Sequence, residues 1–235
     1  PRDRKARTMK LFLSPFKPLS YLATLAVLLV LVPLGRFYRG DGSLWTIFGG
    51  VTLTALFILA GAQWSALNQL GASFSAWMNS ATITSVVAAV ILGGATAASS
   101  IYNQFKSPYY QAYDLFLFTN GADVPWVDTN GDPYIVANVG QDTTSMAWTV
   151  LLHIAFFFVA AIVGVALGLV YASFGAGRGL ITAFATFLIA VALYWAIESP
   201  VGDWDTAAVG GVSAACLVTL AVSAVAIRNT KRFVR

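Results

Sequence analysis

Charge is what this sequence has least of. Of its 235 residues only 10% are Asp, Glu, Lys or Arg, whereas a soluble domain carries about a quarter. With 58% hydrophobic residues, a water-soluble fold is excluded, and the chain reads as an integral membrane protein. Cysteine is almost absent too. Cys216 is the only one, so no disulfide framework within one chain is possible, and the redox compartment stays open. The lone histidine, His153, lies in an apolar run. Neither paired carboxylates nor a metal-ligand cluster accompanies it at membrane depth, which makes an intramembrane enzyme the weakest reading. A Gly-x-x-x-x-Gly-Lys-Ser/Thr phosphate loop is missing, so ATP would have to be handled by another polypeptide. No internal repeat suggests an inverted two-half transporter.

What the chain does have is long apolar runs. About 20 residues at 1.5 Å each cover the ~30 Å hydrocarbon core. Six runs meet that length: Leu19 to Phe37, Leu44 to Ala62, Asn79 to Tyr102, Met146 to Phe174, Leu180 to Ile197 and Ala207 to Ile227. The expected fold is an all-α integral membrane protein with six transmembrane helices. The third span is rich in Ala, Gly, Ser and Thr, and Gly164 and Gly168 in the fourth have small-xxx-small spacing; both patterns permit close helix contact in lipid. The fourth span is expected to break sharply at Gly175-Ala176-Gly177-Arg178-Gly179.

Charge placement gives the topology. With the N-terminus inside, the inner segments hold Arg2, Arg4, Lys5, Arg7, Lys10, Lys17, Arg178, Arg228, Lys231, Arg232 and Arg235, which is eleven of the fourteen Lys and Arg, while the outer segments hold nine of the ten acids. This follows the positive-inside rule. Both termini are therefore expected in the cytoplasm: a basic interfacial segment over residues 1–18 and a basic tail over 228–235. The net charge of +4 is explained by anchoring to the bilayer, without a nucleic-acid partner. The N-terminal cations resemble the start of a signal peptide, but the long run after them lacks a clear small-residue cleavage site, so a retained helix is expected. Met9, Leu11, Phe12, Leu13 and Phe16 suggest an interfacial segment ending near Pro15 or Pro18.

Three connections stand out. Arg36, Arg39 and Gly40-Asp41-Gly42 read as a tight polar turn. Residues 103–145 form the one sizeable extracellular loop, between helices 3 and 4. Its Tyr109, Tyr110, Tyr113, Leu115, Phe116, Leu117 and Phe118 are expected along the membrane face or packed under the loop. Within it, Asp128-Thr129-Asn130-Gly131-Asp132 spaces oxygen ligands like the start of a calcium loop. Val139 stands where the closing bidentate carboxylate would be needed, so a turn in a short hairpin is the better reading.

The third connection, residues 62–78, carries no charge but breaks the apolar pattern with Gln63, Ser65, Asn68, Gln69, Ser73 and Ser75, between Trp64 and Trp77. It reads either as a short helix at the membrane surface with its indoles at headgroup depth, or as a plain polar turn.

Leu70-Gly71-Ala72-Ser73, the run Val163-Gly164-Val165-Ala166-Leu167-Gly168-Leu169-Val170-Tyr171 with Phe174-Gly175 and Gly179, and the Ala-rich last span closing on Ala226-Ile227-Arg228-Asn229-Thr230-Lys231-Arg232 together resemble the membrane (permease) subunit of a six-span bacterial ABC-2 type ABC transporter. The resemblance implies an exporter of multidrug or antimicrobial-peptide type in the plasma membrane. Two permease subunits, identical or homologous, would form a pathway by alternating access, with ATP and Mg bound by a separate ATPase subunit and no catalytic residue, cofactor or metal in this chain. It also implies a coupling helix over Asn68 to Ala76, with Leu67, Asn68, Leu70, Gly71, Ser73, Phe74 and Trp77 facing the ATPase. The chain departs from the family at Phe74, Ser75 and Ala76, where members often carry arginine, so either docking is mainly apolar, through Leu67, Leu70, Phe74 and Trp77, or the chain has a partner of another kind.

Intramembrane polar groups are functional candidates by default. Asn79, Thr82, His153 and Glu198 are the pathway or helix-interface candidates. Asn79, Thr82 and Thr84 are expected to hydrogen-bond between helices, and His153 to pack by a hydrogen bond. A rival reading is a non-transporting structural or assembly subunit of a larger membrane complex, with the external loop as its contact surface.

Overall fold

The computed structural model describes residues 11–39, 42–119, 130 and 138–201, with the backbone alone over 176–201. Among the described residues every regular element is helical. Helix α1 covers Pro18–Arg39, α2 Gly42–Ala62, α3 Trp64–Gln69 and α4 Phe74–Lys106. A 3-10 turn follows at Pro108–Tyr113, and α5 covers Thr143–Val201.

Four stretches are long and apolar enough to cross a membrane: Leu19–Phe37, Gly42–Gln69, Phe74–Lys106 and Thr143–Gly175. They point to a membrane-embedded protein. Three begin earlier than the sequence suggests, the second at Gly42 rather than Leu44. The third expected span, from Asn79, is preceded by a turn of helix that starts at Phe74, because Ser73 caps it: its Oγ accepts the Ala76 N–H at 3.3 Å. The fourth starts at Thr143, where the Asp142 carboxylate accepts the Ser145 N–H at 3.0 Å. The expected five-residue break after it is one residue long. Gly175 alone leaves helical geometry, with φ 80° and ψ 174°, and the backbone over 176–201 is helical again. The fifth expected span falls there. The first ten residues, the sixth span, the basic tail and all of the calcium-like stretch except Asn130 lie outside the described residues.

The chain divides into two compact units, and three of the helices contribute residues to both. The first unit comprises, within the described residues, 11–17, 52–86 and 159–201. Its core is aromatic. Residues 11–16 form successive turns rather than a surface helix, and they deliver Phe12 into the interior. There its ring lies 5.4 Å from that of Phe57 and 5.5 Å from Trp77, and its N–H donates to Ser80 Oγ at 2.9 Å. On the other side of this core α2 meets α5 through glycine. A Cβ on Gly164 would lie 2.6 Å from the Thr54 carbonyl oxygen, and the Thr54 hydroxyl donates to the Ala160 carbonyl at 3.0 Å. The small-xxx-small spacing thus makes the close contact expected of it.

The second unit comprises residues 18–51 and 87–158. Glycine again sets the helix separations: Gly93 of α4 faces the backbone of His153 and Ile154, and Gly49 of α2 faces Val32 and Phe157. Its core, however, is polar. Arg36, Thr46, Thr96, Ser100, Gln104, Asp114, Thr149 and His153 are all buried there.

The polar residues of α4 nearer its start behave otherwise than expected. Thr82 and Thr84 donate to Met78 and Ser80 of their own helix, at 3.0 and 2.8 Å, instead of to another helix, and Asn79 is exposed.

Candidate functional site

Two constructions carry the chemistry, one in each unit. The first is the connection between α2 and α4. Short helix α3 ends in a Schellman motif: the Gly71 N–H donates to the Asn68 carbonyl and the Ala72 N–H to the Leu67 carbonyl, both at 3.0 Å. The motif requires a left-handed residue, and Gly71 sits at φ 84°. Ser73 then caps α4. Leu70-Gly71-Ala72-Ser73 is therefore a stop signal followed directly by a start signal, and the chain turns there without help from any other segment.

The base of this turn is fixed by rings. Trp64 lies 5.2 Å from both Phe74 and Trp77. The two indoles, expected at headgroup depth, are buried instead, at 3% and 0% exposure. The reason is that Gln63 keeps right-handed geometry, at φ −78° and ψ −3°, so α3 prolongs the path of α2 and turns Trp64 inward. Of the residues assigned to the coupling element, Leu67 and Trp77 are buried, Phe74 is half-buried, and Asn68, Leu70, Gly71 and Ser73 are exposed. Leu70 is 84% exposed, and no charged group occurs from residue 62 to 78.

The second construction is centred on Arg36, near the end of α1. Its guanidinium pairs with Asp114 Oδ2 at 2.9 Å, with both side chains wholly buried. It also donates to the Gly42 carbonyl at 3.1 Å and to Thr46 Oγ1 of α2. Longer approaches lead to the Thr96 carbonyl at 3.4 Å and to Tyr110 Oη and His153 Nε2 at 3.5 Å. Asp114 is answered from all sides. Oδ2 also accepts from Tyr110 Oη at 2.9 Å and from Ser100 Oγ, and Oδ1 accepts the Phe116 N–H at 3.1 Å.

His153 completes the set. Its Nδ1 donates to the Thr149 carbonyl at 2.8 Å, which leaves the Nε2 lone pair facing the guanidinium. The Phe116 ring packs against it at 5.5 Å. Removal of two charges from water costs several kcal/mol per ion, and only dense hydrogen bonding offsets it. Here five elements converge to supply those bonds. Outside the membrane spans, burial pushes the Tyr110 phenol well above its usual range, and the Asp114 carboxylate beside it pushes the same way. Tyr110 therefore remains a donor.

The sequence reading placed neither partner here. The sequence pattern sets Arg36 in a polar turn and Asp114 in an external loop. The available signals were that Arg36 lies inside the first expected span, and that Asp114 follows Tyr110 by four residues and precedes an apolar run. Of the predicted candidates only His153 joins this cluster; the side chain of Glu198 lies outside the described residues. Among the described residues no group of three or more His, Cys, Asp or Glu could hold a metal ion, and Asp114 is already taken up by Arg36.

No family model matches the chain, and neither a curated protein nor a solved structure matches it.

Proposed function

We propose that the protein is the membrane-spanning subunit of an ATP-driven exporter of the ABC-2 type in a bacterial plasma membrane. Two such subunits form the pathway, and a separate ATPase drives it. The observation that carries this reading is the α3–α4 turn. An element that passes movement from a soluble subunit to membrane helices must be stiff at its base and offer a contact at its tip. Closely packed indoles and two consecutive caps supply the stiffness, and exposed Leu70, preceded by Asn68 and Gln69, supplies an uncharged contact. In this reading the described spans are four of six, helix 176–201 is the fifth and residues 207–227 the sixth. The concentration of Lys and Arg in the two terminal segments supports a cytoplasmic placement of both termini and, by span count, of this turn.

The test is to purify the chain from its native membrane in mild detergent and identify what accompanies it. A stoichiometric subunit with a phosphate loop is expected. Leu70→Asp should release it at unchanged yield of the chain, because Leu70 has almost no intramolecular packing to lose. If no such subunit copurifies and another membrane complex does, the exporter reading fails.

One observation favours the rival reading of a structural subunit: residues 74–76 offer no arginine to a partner. Its main contacts would then lie away from the turn, and Leu70→Asp would leave the complex intact.

A further inference from the structure

Segment 107–119 joins the second unit by polar side chains to an unusual degree. Asp114 is gripped by Arg36, Ser100 and Tyr110. Ser43 bridges two points of the segment, accepting the Leu115 N–H at 2.8 Å and donating to the Tyr113 carbonyl at 3.3 Å. Thr149 of α5 accepts the Phe118 N–H at 2.9 Å. Apolar anchoring is uneven: Tyr113 and Leu115 are each more than half exposed, while Leu117 is buried and the Phe116 and Phe118 rings pack on Phe156 at 4.8 Å and Trp148 at 6.1 Å. Four helices thus hold the segment by hydrogen bonds.

The grip is also incomplete. Arg36 meets Asp114, Gly42 and Thr46 closely, but its approaches to Thr96, Tyr110 and His153 are at the limit of hydrogen bonding, and its Nε–H has no partner among the described residues. A buried pair of this kind adds little net stability compared with an apolar pair of the same volume, yet removal of one charge leaves the other stranded. Such a contact suits a position that must be held in one state and let go in another.

We propose that Arg36 and Asp114 form a latch that holds segment 107–119 closed against α1, α2 and α4, and that the segment lifts as a unit when the pair parts. The device does not depend on the exporter reading. It requires only that the segment have an open state whose population the pair controls.

The test uses the full chain in lipid nanodiscs, with Cys216→Ala as background and one new cysteine, Leu117→Cys, as reporter. Its reaction with a water-soluble maleimide measures how often the segment lifts, since labelling follows the open population when reclosing is fast. Asp114→Asn keeps the shape and removes the charge. It should speed labelling at least about tenfold, because the stranded guanidinium favours the open state. The apolar pair Arg36→Met with Asp114→Leu should slow labelling below that of the parent, since an apolar contact has no stranded charge to release. A second reporter, Ala81→Cys, is buried in the other unit and should stay unlabelled throughout.

Equal labelling of Leu117→Cys with and without Asp114→Asn would overturn the latch. So would labelling of Ala81→Cys in the Asp114→Asn background, which would mean that the pair holds the whole fold rather than one segment.

Discussion

Gly168 of α5 lies against Gly61 of α2 so closely that a Cβ on Gly168 would come within 2.7 Å of the Gly61 Cα. On the same face of α5, one turn earlier, Gly164 would meet the Phe57 Cβ at 2.6 Å. Backbone opposes backbone here, so no side chain can swing aside. Gly168→Ala should cost about 1–3 kcal/mol through forced separation of the two helices. The drop in thermal midpoint of the detergent-purified protein measures it. Gly94→Ala is the control: nothing lies within 4 Å of its would-be Cβ, and the change should be neutral or stabilise by up to about 1 kcal/mol.

Gly71 has open space around it and a φ of 84°. Its requirement is conformational rather than steric. Gly71→Ala should cost about 1–2 kcal/mol by placing a Cβ in the left-handed region, and Gly71→Asn should recover part of that loss. A thermal scan of the two variants side by side reads the difference.

Tyr110 makes alkaline stability testable. Its phenol ionises at 10.0 in the unfolded chain and at higher pH when buried beside Asp114. Above pH 10 the unfolded state therefore loses a proton that the folded state keeps, and stability must fall as pH rises. Tyr110→Phe should flatten that alkaline decline. At neutral pH it should cost about 2 kcal/mol, since a donor to a buried carboxylate is lost. Thermal midpoints at pH 7 and pH 11 separate the two effects.

Asp142 is exposed, and its carboxylate caps α5. Asp142→Ala should lower the thermal midpoint, with Asp142→Asn close to the parent. If both variants behave alike, the capping bond contributes nothing measurable.

Local signals were legible in the sequence. The apolar runs mark the four described spans, though not where they end, and the spacing of Gly164 and Gly168 marks a close helix contact, because both are written within a few positions of one another. The stop at Gly71 and the start at Ser73 are written just as locally, but the sequence reading uses those four residues only as a family resemblance. Pairing across 78 residues was not. Arg36 stands near Arg39 and Asp41 in sequence, and nothing local distinguishes a guanidinium that enters the core from one that caps a turn. The indoles misled for a related reason. Tryptophan flanking a polar stretch marks an interface in most membrane chains, but the right-handed geometry of Gln63, which no propensity dictates, turned Trp64 inward.

The turn between α3 and α4 is specified locally: two bonds of a Schellman motif, one serine cap, and a pair of buried indoles. Asn68 and Leu70 contribute exposed side chains to none of this. Those two positions can therefore be rewritten without cost to folding, and the outward face of the turn can change over generations while the scaffold beneath it stays the same.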